Sequence, residues 1–254
     1  MIASAPADRE AYLVPVPFTR LVRAEWRKTT DTRAARWLLA ATALTTIGGL
    51  AVPLTFPHNV AQTRASYLLW AGLGLSRLLP IALMLAMTAE WSQRTALTTF
   101  TLAPRRGRVL AARIVTGLGL SAAAGLAAFG AAELTVTLAR DLGRSISTSL
   151  SWPQLAGFAA FVLLTSAIGV AVGAALHNTA VAIVTYFGLA AAFSLLMIPA
   201  VARAGDWVNT GQTFGWVLAG QWAGHGAEIA TSTALWVALP LAFGLIRTIR
   251  REVR

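Results

Sequence analysis

Cysteine is absent from this chain, and lysine occurs once, at Lys28. The first absence excludes disulfides and thiolate chemistry and leaves the redox compartment open. The second removes the usual means of holding nucleotide phosphates. A P-loop needs a glycine-rich turn ending in Gly-Lys-Ser/Thr, so that backbone amides and the lysine cradle the phosphates. Lys28 stands in "LVRAEWRKTT" with no glycine before it, so the chain carries no such loop. Histidine is nearly as scarce: His58, His177 and His225 are far apart in sequence and do not form the clustered ligand set of a zinc site. A membrane-embedded serine protease needs a Gly-x-Ser-Gly nucleophile and a later histidine; Ser166 sits in "LLTSAIG", and the last apolar run holds no histidine. No catalytic residue, metal site or cofactor site is therefore assigned, and the chain is read as non-enzymatic.

Charge is also in short supply. Only 12% of the 254 residues are Asp, Glu, Lys or Arg, about half the share usual in soluble domains. What replaces it is apolar: 56% hydrophobic residues and a mean hydropathy of +0.64. The net charge of +11 could suggest nucleic acid, but the basic residues lie between apolar runs, where membrane topology accounts for them. A helix crossing about 30 Å of hydrocarbon needs about 20 residues. Six runs qualify: Trp37–Phe56, Tyr67–Ala89, Val109–Ala139, Trp152–Leu176, Thr179–Ala200 and Ile229–Ile246. The expected fold is all-α, a polytopic membrane protein forming one domain over residues 1–254.

Orientation follows from the basic residues in the connections. The segment before the first run holds seven, the 90–113 segment five and the C-terminal tail four; the alternate connections hold four in all, at Arg64, Arg140, Arg144 and Arg203. Sixteen against four places both termini, the 90–113 segment and the basic 247–254 tail on the cytoplasmic side. Residues 1–36 lack the apolar core of a cleavable signal peptide. Within them Phe18, Leu21, Val22 and Trp26 share one helical face, and Arg20, Arg23 and Arg27 another, the pattern of an interfacial amphipathic helix. Between the fifth and sixth runs, "RAGDWVNTGQTFGWVLAGQWAGHGAE" is too broken to span and too apolar for a free loop. It reads as a re-entrant or interfacial hairpin with Trp207, Trp216 and Trp222 at the membrane boundary.

Two ionisable residues fall inside the spans. Arg77 is near the middle of the second, and Glu133 lies about two turns inside the outer end of the third. Counting along antiparallel helices puts them about one turn apart in depth, so the expectation is a buried Arg77–Glu133 ion pair. The alternative is that either lines a substrate path. Gly117, Ser121 and Gly125, and then Gly169 and Gly173, form stripes of small residues that allow close helix approach. Pro80, Pro199 and Pro240 are candidate kinks.

The stretch from Thr88 to Arg113, "TAEWSQRTALTTFTLAPRRGRVLAAR", interrupts two apolar runs with five arginines and a proline. Glu90 and Trp91 open a segment that can be helical, Pro104 stops it, and Arg105, Arg106 and Arg108 crowd the turn that follows. This stretch resembles the cytoplasmic loop of bacterial ABC-2-type permeases, the membrane subunits of ATP-binding-cassette exporters. The matching positions are Glu90, Trp91, Thr95, Leu102, Pro104, Arg105, Arg106, Ala112 and Arg113. Arg113 stands where lysine is usual and Arg94 where glycine is frequent. "EWRKTTDTRAARWLL" and "GVAVGAALHNTAVAI" are similar to the family's entry into its first span and its fourth-to-fifth turn.

The resemblance implies six spans, a second permease subunit, identical or related, and two separate cytoplasmic ATPase subunits that bind ATP and magnesium. It implies that residues 90–108 form the coupling loop, with Glu90, Trp91, Arg94, Thr95, Pro104, Arg105 and Arg106 seated on the ATPase. It also implies export across the bacterial cytoplasmic membrane between the permease subunits. The competing readings are an ATP-independent secondary transporter or channel, and a structural or signalling subunit without flux.

Overall fold

The computed structural model describes residues 16–92, 106–195 and 202–250. They are helical apart from connections, with no β-strand among them. Five helical stretches are long and apolar enough to cross a membrane: Arg33–Thr55, Arg64–Ala89, Gly107–Asp141, Trp152–Leu176 and Gly226–Thr248. This is compatible with a multi-pass membrane protein. The predicted fifth run is helical over Thr179–Leu195, 17 residues or about 25 Å; its remainder lies outside the described residues, as does Pro199.

Helix α1, Phe18–Asp31, starts directly after Pro17. It leads into α2, Arg33–Thr55, through Thr32, whose hydroxyl accepts from the Ala35 amide at 3.2 Å as an N-cap. Helix α3, Arg64–Ser92, returns along α2. Their backbones nearly touch: a Cβ at Gly74 would fall 2.5 Å from the Thr46 Cα, and Thr45 Oγ1 donates to the Gly74 carbonyl at 3.0 Å. Helix α4, Arg106–Asp141, has 36 residues, about 54 Å. That is well beyond a membrane's need, and its first turns run alongside α1.

Helix α5, Trp152–Leu176, is the hub. It begins in a capping box of Ser151 and Gln154 and ends where His177 turns left-handed at φ 52°. The Gly169 stripe lies against α3, where a Cβ at Gly169 would fall 2.3 Å from the Pro80 carbonyl oxygen. Val162 and Val170 of α5 cover Gly125 and Gly117 of α4. Both small-residue stripes thus serve packing within the chain.

After α6, Thr179–Leu195, come two short helices, α7 (Ala202–Val208) and α8 (Thr210–Leu218), and then α9, Gly226–Thr233. A π-helical turn, Ala234–Ala238, joins α9 to α10, Leu239–Arg250, in one continuous rod. The π turn sits just before Pro240, the expected kink. The proline ring cannot donate to the Trp236 carbonyl and would crowd it; a widened turn gives it room. The core runs through Tyr67, Phe158, Phe161, Val162, Phe214 and Trp236, all buried. Residues such as Leu44, Leu126, Leu134, Val184 and Phe243 instead face outward, the arrangement expected of helices solvated by lipid.

Candidate functional site

Two regions carry the chemistry. The first is the junction of α1 with the start of α4. Glu25 is 7% exposed and Arg113 8%, and the Arg113 Nε donates to Glu25 Oε2 at 3.3 Å. Lys28 Nζ donates to the other carboxylate oxygen at 3.0 Å, and Thr116 Oγ1 donates to the Val22 carbonyl at 3.4 Å. One carboxylate thus fastens α1 to α4 near the start of α4. Sequence reading missed Glu25, yet a signal was present. Phe18, Leu21, Val22 and Glu25 follow an i, i+3, i+4, i+7 spacing, so a carboxylate stands on the apolar stripe. An acid on such a face needs a buried partner.

Three of the predicted coupling residues, Glu90, Trp91 and Arg106, fall among the described residues. Glu90 and Trp91 lie in the last turn of α3, which continues unbroken to Ser92, and Arg106 opens α4. Arg94, Thr95, Leu102, Pro104 and Arg105 lie outside the described residues.

The second region is a cavity of about 280 Å³ between α3, α5, α6, α8 and the π turn. Arg77 lines it, with Thr165, Tyr186, Asn209 and Thr210. Here the predicted Arg77–Glu133 pair is corrected. Glu133 Oε1 accepts instead from Arg64 Nε at 2.7 Å, both side chains about 30% exposed. Arg64 is the first residue of α3, and Arg77 is thirteen residues further along, about 20 Å away along the axis. The depth count set the Tyr67 end of the second run level with the Ala139 end of the third. Helix α4 instead extends past the start of α3, to Asp141, which brings Glu133 level with Arg64. The same end holds a parallel bridge between Thr63 and Ser147, and Arg144 donates to the last carbonyls of α2, those of Pro53 and Leu54.

Arg77 itself is exposed and makes no ion pair among the described residues. Its surroundings follow from a proline. Pro80 has no N–H for the Ser76 carbonyl, and the Tyr186 hydroxyl donates to that carbonyl at 3.5 Å. Across the cavity, Asn209 caps α8, its side chain accepting from the Gly211 amide at 2.8 Å. The Trp236 Nε1 donates to the Val208 carbonyl at 2.7 Å, which holds the α7–α8 tip beside the middle of the last long helix. The opposite end of α8 meets the beginning of α5, where Gly157 lies against the Val217 carbonyl.

A second cavity of about 490 Å³ lies between α5, α6 and α10. Its walls include Val172, Leu176, Leu189, Leu239 and Phe243, and Thr185 is its one polar residue. Trp236 lines both cavities. No cluster of metal-ligating side chains occurs among the described residues. Compared with known protein families, curated proteins and solved structures, the chain matches none.

Proposed function

We propose that this chain is the membrane-spanning subunit of an ATP-driven exporter, coupled through residues 90–108 to separate cytoplasmic ATPase subunits. In this reading the α1 end faces the cytoplasm of a bacterial cell, α1 lies in the headgroup layer, and α6 completes six spans. The α7–α8 pair is a re-entrant hairpin entering from the outside. A second permease subunit, identical or related, closes the substrate path. The observation that carries the reading is a connecting sequence rich in arginine between α3 and α4, followed in α4 by a buried Glu25–Arg113 clasp. A rigid α1–α4 unit at the root of that connection is what a push from a soluble partner requires.

Reversing Arg105 and Arg106 together to Glu is expected to leave membrane insertion intact. It should also abolish ATP-dependent transport while the partner ATPase still hydrolyses ATP. Unchanged transport in that variant counts against coupling, and failure to co-purify with any ATPase counts against the exporter as a whole. One observation favours a second reading. Short helices whose tip reaches a cavity halfway along the bundle are also how ATP-independent secondary transporters build their sites. Flux in vesicles that hold the chain alone, without nucleotide, would select that alternative.

A further inference from the structure

We propose that the two cavities meeting at Trp236 form one binding site for a single-tailed anionic amphiphile, with its phosphate or carboxylate on Arg77 and its tail in the apolar groove. The inference deepens the transport reading and rests on it, because it names the class of cargo.

The first observation is charge. Arg77 is central in a long apolar helix, where an arginine disfavours insertion by about 2.5–3.5 kcal/mol on translocon scales. Such a residue normally faces a partner, and Glu133, the partner expected from the sequence, is bound to Arg64. Asp206, on the adjoining α7, makes no ion pair with Arg77. Arg77 is the one charged residue of the lining; the polar groups there with it, from Ser76, Thr165, Tyr186, Asn209 and Thr210, are neutral, and the rest is mostly apolar. The positive end of the α8 dipole adds to the same sign. A cationic cargo would be repelled here, and a neutral one would leave the guanidinium unmet.

The second observation is shape. The polar cavity is small, about 280 Å³, room for a headgroup rather than a whole lipid. Beyond Trp236 the larger space, about 490 Å³, has no ionisable residue on its walls. A charged compartment and an apolar one sharing a wall match a molecule with a charged head and one tail. Inorganic phosphate would use only the first compartment, and a neutral alkyl chain only the second.

The test uses the full chain in phosphatidylcholine nanodiscs. It is titrated with dodecyl phosphate, with zwitterionic dodecyl phosphocholine, and with inorganic phosphate; bound ligand is read by native mass spectrometry. Dodecyl phosphate is expected to bind at least about tenfold more tightly than either control. Arg77→Gln should weaken it by about ten- to a hundredfold, the range for a hydrogen bond to a charged group. Arg77→Lys should retain most of the affinity. Gly215→Leu should lose it with Arg77 in place: Gly215 lines the cavity that holds Arg77, and a Cβ there meets nothing within 4 Å, so the added side chain has open space at its root. If Arg77→Gln does not insert, Arg77→Lys and Gly215→Leu decide the matter.

Equal binding of dodecyl phosphate by Gly215→Leu or Arg77→Gln overturns the proposal, as does equal affinity for phosphocholine. So does a wild-type chain that binds no dodecyl phosphate but loses self-association on Arg77→Gln, which would assign Arg77 to a carboxylate of a second copy. The measurement needs no ATPase. Binding without ATP-driven movement keeps the site and removes the exporter, whereas ATP-driven movement without binding removes only the site.

Discussion

Arg113 and Arg77 are the same side chain in opposite circumstances. Arg113 is buried against Glu25, in a contact that closes one helix onto another. Arg77 is exposed, beside a cavity, with no ion pair among the described residues. A compensated charge that is inaccessible can only hold structure. An uncompensated one in the middle of an apolar helix opposes insertion and leaves a charge for a ligand to meet. The contrast separates a fixed joint at the α1 end from a receptive surface in the middle of the bundle.

The strongest way to break the comparison is at the joint. Glu25→Ala removes a carboxylate buried against Arg113, and should cost up to about 3–5 kcal/mol of stability. Thermal or denaturant unfolding of the purified chain checks this. The double change Glu25→Leu with Arg113→Met should recover most of the loss, because a buried ion pair and an apolar pair of like volume are often equivalent. If Glu25→Ala unfolds like the parent, the clasp is not structural and the contrast dissolves.

The second arginine should answer with the opposite sign. Arg77→Leu should insert more readily, by about 2.5–3.5 kcal/mol on a translocon-type insertion assay, and should lose any transport that the parent supports. Because Glu133 pairs with Arg64, neutralising Glu133 should not be needed for Arg77→Leu to be tolerated. A severe insertion defect in Arg77→Leu would show that Arg77 has a structural partner after all. The smallest effect belongs to Glu133→Gln. Its pair is about 30% exposed on both sides, and partly solvated pairs contribute only about 0–1 kcal/mol. Unfolding curves that overlay the parent within that margin would place the Arg64–Glu133 pair below both arginines in consequence.

Much of the fold was legible in the sequence, because an apolar stretch about 20 residues long leaves few alternatives to a helix. The stripes at Gly117–Gly125 and Gly169–Gly173 were readable for the same reason, since small residues at four-residue spacing make a flat face. Axial offset was not readable. Whether Glu133 meets Arg64 or Arg77 depends on how far α4 slides along α3, and composition carries no term for that. Depth counts across two helices assume equal ends, and α4 breaks the assumption by overrunning its neighbour.

The site was partly visible through Arg77, but not its surroundings. Tyr186, Asn209 and Trp236 come from three separate segments with no shared motif, and only the path of the chain assembles them. Glu25 was legible in principle, as an acid on an apolar face, but its partner Arg113 lies 88 residues away and only the packing of α1 on α4 brings the two together. The arginine-rich connection is the reverse case: its residues stand out in the sequence, while Arg94, Thr95, Pro104 and Arg105 lie outside the described residues.

The widened turn at Ala234–Ala238 winds about one surplus residue into the rod, which offsets the helical phase on its two sides by about 100°. Before it, Ser232 accepts from Thr213 of α8 at 3.0 Å. After it, Thr248 meets His177 at 3.2 Å and Arg247 donates to the Ala175 carbonyl at 2.9 Å. A regular helix of the same length could satisfy one of these latches but would rotate the other off its mate. Deleting a single residue within the turn should therefore unfasten one end of the rod while leaving its length and greasiness almost untouched.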